Sequence, residues 1–193
     1  MPLNILLLGP QGAGKGTQAK RVADAYGLPH IASGEILRSE MAAGTELGHR
    51  VRDVYDRGDL VSDDLMIELI RARLEQADTD NGFILDGFPR TTVQAEALDE
   101  MFGEIGRNFS VVFALQIPDS VAFERLRLRA EVEGRADDTD EAIRRRLENY
   151  HRETEPLIEY YRVRGNLVTI HAERSEGEVF AEIQSALEQV PAA

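Results

Sequence analysis

A three-layer α/β fold, with a five-stranded parallel sheet between helices, is the class this 193-residue sequence predicts. Three observations carry that reading. Short apolar runs near 3–8, 28–32, 83–85, 110–117 and 167–170 alternate with stretches of helical periodicity, as buried parallel strands and their crossover helices do. The first run passes into a helix through a glycine-rich turn, Gly9-Pro-Gln-Gly-Ala-Gly-Lys-Gly-Thr17. Asp86 closes the third run, on the sheet edge where parallel folds gather their ligands.

The turn after the first strand carries the strongest chemical signal. Glycine at 9, 12, 14 and 16 removes Cβ atoms, so successive backbone N–H groups can converge on phosphate oxygens at a helix N-terminus. Lys15 adds a positive charge that reaches terminal phosphates. The general pattern places Ser or Thr directly after the lysine, to hold magnesium. Here Gly16 follows instead, and the hydroxyl comes one later, at Thr17. A turn that merely reversed the chain would not need this lysine at this offset. The loop predicts a nucleotide-phosphate site.

The remaining elements follow in order. Residues 18–26 lack helix breakers and stop at Gly27, a natural C-cap. Ser33 stands where a helix N-cap is expected, with Glu35 in the first turn. The segment 34–58 reads as helical, broken at Gly44-Thr45, with too little apolar surface for a core element; it reads as a flap. Ser62 caps the next helix, whose Leu65, Met66, Leu69, Ile70 and Leu74 recur at helical spacing. Asp86, after the third strand, suits either a magnesium site or a loop-capping carboxylate. Gly87 and Pro89 fix the turn, and Arg90 leaves it on the same sheet edge. Thr91 and Gln94 match a capping box, so spacing alone leaves Gln94 open between cap and ligand.

Arg125 and Arg129 share one face of the helix after the fourth strand. Residues 130–139 form a polar interval around Arg135 that holds nothing for a core. One long helix is expected next, with Ile143, Leu147, Tyr150, Leu157, Ile158 and Tyr161 on one stripe. Arg145 points away from that stripe as a solvated charge, while Arg144 and Arg146 flank it. Ser175 and Glu178 box the last helix.

Composition sets the outer bounds. The content of 42% hydrophobic and 30% charged residues is that of an ordinary globular chain. There is no Cys, which excludes disulfides and thiolate metal sites, and the four His form no close ligand pair. The first apolar run is too short for a signal or membrane segment, so a cytoplasmic protein without membrane partners is expected. A net charge of −13 argues against nucleic-acid polymers, which need a basic footprint. Of 22 basic residues only Lys15 and Lys20 are lysines, and arginine is the side chain suited to forked phosphate binding.

On the loop 9–17 and on Asp86-Gly-Phe-Pro-Arg90, the chain resembles the adenylate kinases over essentially its full length. Gln11, where that family usually has Pro, is a minor departure. The resemblance implies reversible phosphoryl transfer from magnesium-bound ATP to AMP, giving two ADP, by a monomer with a P-loop three-layer core. It implies a core of 1–31, 62–127 and 139–193, an AMP-binding domain of 32–61 and a short lid of 128–138. ATP would be held by Gly12, Ala13, Gly14, Lys15, Gly16, Thr17, Arg129 and Arg174. AMP would meet Ser33, Gly34, Arg38, Asp59, Leu60, Val61, Gly87, Phe88, Pro89, Arg90 and Gln94, which tips Gln94 towards adenine. Lys15, Arg90, Arg125, Arg129, Arg135 and Arg146 would surround the transferring group as catalytic residues, Arg135 and Arg146 also touching AMP. Magnesium would be held through water by Asp86, and the short lid lacks the ligands that bind zinc in some relatives, so no zinc is expected.

Two rivals follow from the same residues. A pyrimidine monophosphate kinase acting on UMP or CMP shares the architecture, but typically has Ala at the position of Ser33 and Asn at those of Thr91 and Gln94. A nucleotide-gated binding module is the other, and mere binding does not call for so many arginines.

Overall fold

A computed structural model describes residues 2–190; residue 1 and residues 191–193, at the ends of the expected core ranges, lie outside the described residues. Five strands form one parallel sheet: β1 (Leu3–Leu8), β2 (His30–Ala32), β3 (Gly82–Asp86), β4 (Val111–Gln116) and β5 (Leu167–His171). Their order is β2-β3-β1-β4-β5, so β1 is central and the chain changes direction across it. Leu7 pairs with Asp86 in the β1–β3 register, which sets the acidic residue level with the start of the glycine loop. Successive β1 residues serve opposite faces. Leu6 and Leu8 join one core with Ile31, Phe83, Leu85 and Phe109, while Ile5 and Leu7 join another with Ile84, Phe113 and Ile170.

The helices are α1 (Lys15–Tyr26), α2 (Ser33–Ala43), α3 (Glu46–Asp56), α4 (Asp63–Leu74), α5 (Thr92–Ile105), α6 (Asp119–Glu133), α7 (Asp140–Asn149), α8 (Pro156–Arg162) and α9 (Glu176–Leu187). The flap is α2 and α3, divided at Gly44-Thr45 as expected. It is better anchored than its sequence suggests, because Leu37, Met41 and Val51 are buried in the first core. Ser33 does not cap α2: Ala32 occupies the cap position, and Ser33 is a buried helical residue. Its hydroxyl faces the loop after β3, where a Cβ on Gly87 would come within 2.5 Å of it. Ser62 holds the cap position of α4 without a side-chain bond, whereas Ser175 and Glu178 form the full capping box of α9.

Two expected elements are corrected as well. The interval after residue 129 is not all loop, since α6 continues to Glu133 and ends at Gly134, whose left-handed φ of 65° closes it. Half of the expected lid is therefore helix. Nor is 140–162 a single helix. Pro156 has no N–H to give, and the Glu155 N–H bonds the Tyr150 carbonyl, five residues back, at 2.8 Å. The result is a π-helical turn, Tyr150–Thr154, between α7 and α8.

Candidate active site

The glycine loop wraps the N-terminus of α1 at the carboxyl edge of the sheet. Gly12 sits at φ 85° with the Ala122 carbonyl where a side chain would go, 2.7 Å from an added Cβ. No larger residue fits that contact without moving α6. The ammonium of Lys15 turns back to donate to the Gly9 and Pro10 carbonyls, each at 2.8 Å. Burial lowers its pKa to about 8; the nearby Asp86 carboxylate opposes the shift, while Arg90 and Arg129 add to it. Asp86 lies opposite Gly16, and His30 Nε2 is 3.7 Å from its Oδ2, too long for a hydrogen bond. Burial pushes the Asp86 pKa up, but His30, Lys15 and Arg90 together outweigh it and hold the group below the ordinary carboxylate range.

One cleft of about 880 Å³ extends from this loop to the flap on one side and to the end of α6 on the other. On the flap side, Arg38 donates to the Tyr55 hydroxyl at 2.6 Å, and Arg90 donates its Nε–H to the Gly87 carbonyl at 2.8 Å. Arg125, on α6, donates to the carbonyls of Ala172 and Glu173 at 2.9 and 3.2 Å. Arg129 and Arg146 converge on one fully buried carboxylate, Asp138. Arg129 grips it through two hydrogen bonds of 2.7 and 2.9 Å, and Arg146 bonds it directly while reaching Asp137 at 2.8 Å. Arg135 pairs with its neighbour Glu133 at 2.7 Å. Arg174 bonds the His171 carbonyl and pairs with Glu182. A single cavity thus gathers all of these cations, most of them tied to backbone carbonyls or to carboxylates set at particular arginines.

A family model described as adenylate kinase matches residues 7–166. The chain is 46% identical over 185 residues to the adenylate kinase of Xanthomonas euvesicatoria, covering 96% of this chain and 99% of that one. It is 48% identical over 183 residues to the adenylate kinase of Thermus thermophilus, covering 95% and 96% respectively. The chain belongs to the adenylate kinase family.

Against that membership, most of the expected adenylate kinase positions share the cleft: Gly12 to Thr17, Gly34, Arg38, Asp59, Asp86, Gly87, Pro89, Arg90, Arg125, Arg129, Arg135, Arg146 and Arg174 all line it. Ser33, Leu60, Val61, Phe88 and Gln94 do not. Ser33, Phe88 and Gln94 are buried behind its wall. Gln94 is engaged with protein at both ends of its amide: its Oε1 accepts from the Arg90 N–H at 2.7 Å, and its Nε2 donates to Asp63 at 2.8 Å. The capping box at 91–94 is therefore half made. Thr91 accepts from the Gln94 N–H, but the Gln94 side chain reaches the N–H of Arg90, one residue before the cap.

Arg145 is exposed, as its helical phase requires, yet it is not merely solvated, because it pairs with Asp59 at the end of the flap. Its charge holds the Asp59 carboxyl below the usual range, with Arg57 assisting. Sequence reasoning missed Tyr55, which meets both Arg38 and Arg146, and also Tyr150 and Thr154 of the π-turn, which line the cleft. A signal for Thr154 was available: by helical phase it falls on the apolar stripe between Leu147 and Leu157, a polar residue on a buried face. No group of three or more His, Asp or Glu side chains gathers to hold a metal among the described residues.

Proposed function

We propose that the chain transfers the terminal phosphoryl group of ATP to AMP, giving two ADP. The observation that supports this best is the shared cleft. A phosphate loop with Lys15 stands at its centre, Arg38 and Arg90 lie on the flap side, and the arginines of α6 and α7 lie between and beyond. Such a transfer needs two anions held in line and the charge on the moving group neutralised, with no covalent enzyme intermediate. Lys15 and the loop amides 12–17 hold the ATP phosphates, with Arg174 beside the donor base. Arg38 and Arg90 hold the AMP phosphate, and the loop after β3 together with Asp59, Leu60 and Val61 frames its base. As an AMP phosphate oxygen bonds to the transferred phosphorus, the bond to the ADP leaving group breaks. Arg125, Arg129, Arg135 and Arg146 neutralise the oxygens between them.

Residues 32–61 act as the AMP-binding flap and 128–138 as the lid, which by closing keeps water from intercepting the phosphoryl group. Members of the family generally use magnesium with ATP, and Asp86 suits it. A charged, partly shielded carboxylate beside the loop matches an ion that takes one or two carboxylates, keeps its waters and otherwise relies on substrate phosphates. When bound there through water, magnesium would neutralise charge on the ATP phosphates. The chain works as a monomer and needs no zinc.

Acceptor choice tests the reading. AMP is expected to exceed CMP and UMP in kcat/KM by at least about a hundredfold, because a site built to hydrogen-bond one base leaves polar groups unpaired with another. In the AMP complex, Gln94 would meet the base through the amide capacity that its bonds to Arg90 and Asp63 leave over. Equal or better use of UMP or CMP in a coupled assay would transfer the assignment to pyrimidine acceptors.

A further inference from the structure

We propose that Thr154 is a positioning residue for the acceptor side of the transfer: its hydroxyl, delivered by the π-turn, fixes the backbone of Arg90 and so aims the guanidinium at the AMP phosphate. This rests on the reading of Arg90 as an acceptor-phosphate ligand.

Arg90 lies in an irregular segment between β3 and α5, where no ladder or helix holds its backbone. Three protein contacts hold it instead. Its N–H donates to Gln94 Oε1 at 2.7 Å, its carbonyl accepts from Thr154 Oγ1 at 2.8 Å, and its Nε–H donates to the Gly87 carbonyl at 2.8 Å. With Nε engaged, the terminal Nη nitrogens are the donors left to face the cleft. Two of the three contacts lie within four residues of Arg90. Thr154 is 64 residues away, and of the three it alone ties Arg90 to the far wall of the site.

A buried threonine in an ordinary helix satisfies its hydroxyl on the carbonyl three or four residues back. Thr154 does not. The Tyr150 carbonyl, four back, is taken by the Glu155 N–H in the π-type bond, and the Thr154 hydroxyl reaches across to Arg90. The turn that presents it is itself braced on both sides. His151 bonds Asp119 at the start of α6 at 2.9 Å and Glu155 at 2.8 Å, and Asn149 donates to the Gly58 carbonyl at the end of the flap at 3.1 Å. Single π-turns within helices recur at functional sites because they re-aim a side chain at the cost of one irregular bond. Here the re-aimed hydroxyl meets an arginine whose backbone has no regular structure behind it.

The test compares Thr154→Val, which keeps the shape and loses the hydroxyl, with Thr154→Ser, which keeps the hydroxyl. Thr154→Ala serves in place of Val if that variant does not fold. ATP and AMP are varied separately, and thermal melts are run alongside. The expected result for Thr154→Val is a fall in kcat/KM for AMP of roughly three- to tenfold, the worth of one hydrogen bond, with KM for ATP unchanged. Thr154→Ser should stay within about twofold of the parent. Unchanged AMP constants in Thr154→Val, equal losses for ATP and AMP, or a Ser variant as impaired as Val would each overturn the proposal. Arg90→Ala, made in parallel, separates it from its premise. A large loss confined to AMP beside a silent Thr154→Val removes only the positioning role. An Arg90→Ala variant with normal AMP kinetics removes the acceptor reading and the proposal together.

Discussion

Lys15 holds a charge in surroundings that resist it. With its ammonium bonded to two loop carbonyls and largely desolvated, its pKa falls to about 8, and the arginines across the cleft push it the same way. Below that pH the free protein carries the charge; above it, the protonated fraction falls. Ionisations of the free enzyme govern kcat/KM, so kcat/KM for ATP should fall about tenfold for each pH unit above roughly 8.5. At saturating ATP the phosphates favour the protonated lysine, and kcat should hold to higher pH. A pH series from about 7 to 10 under both conditions checks this, and a flat kcat/KM profile up to roughly pH 9.5 would contradict it. Lys15 and Arg90 could be placed on the cleft from the sequence because each sits in a short motif at a strand end, whereas the place of Arg38 came only with the resemblance. The partners of Arg129 and Arg146 were not legible there. Asp137 and Asp138 stand beside Arg135 in the chain, yet they turn to arginines on α6 and α7. Which carboxylate a guanidinium meets depends on tertiary placement, and one residue of rotation in the loop changes it.

At the scale of elements, the strands were legible because each centres on a short, largely apolar run, and β1, β3 and β4 are buried along most of their length. The two elements misjudged had no such signal. The stretch 130–133 faces solvent and the open cleft and carries no apolar stripe, although its alanine and glutamates are good helix formers and extend α6 until Gly134 stops it. The π-turn hides in a pattern that a straight helix also satisfies, and only Pro156 hints at the break. His151 braces that turn, and its two carboxylate partners, Glu155 foremost and then Asp119, raise its pKa. The group therefore adds stability in full below about pH 6.5, the unfolded value, and loses it as pH rises through the raised folded value. The pair is largely exposed, so the effect should stay under about 1 kcal/mol. Melting temperature should decline slightly between about pH 6 and 8.5 in the parent, and less in His151→Gln. Identical slopes in the two proteins would show that the brace carries no charge-dependent stability.

Over the whole molecule, a chain of net charge −13 gathers many of its cations around one cleft and leaves most of the acidic excess elsewhere. The parallel sheet makes this possible: the β2-β3-β1-β4-β5 order brings the glycine loop, Asp86 and the loop after β3 to one edge, where α2, α3 and the end of α6 line the same cleft. Alternation of strands and helices made that class of fold legible. The strand order, and the burial of Gln94 against Asp63 rather than in the cleft, depend on contacts between distant segments that no local pattern encodes. What sets this cleft apart from a hydrolase is that a phosphoryl group passes between two nucleotides without water taking it. Phosphorus NMR of the protein with ATP, AMP and magnesium measures that directly. Two ADP should form for each AMP consumed, with negligible inorganic phosphate. Inorganic phosphate accumulating while AMP stays untouched would contradict that transfer and mark the chain as a nucleotide-hydrolysing module instead.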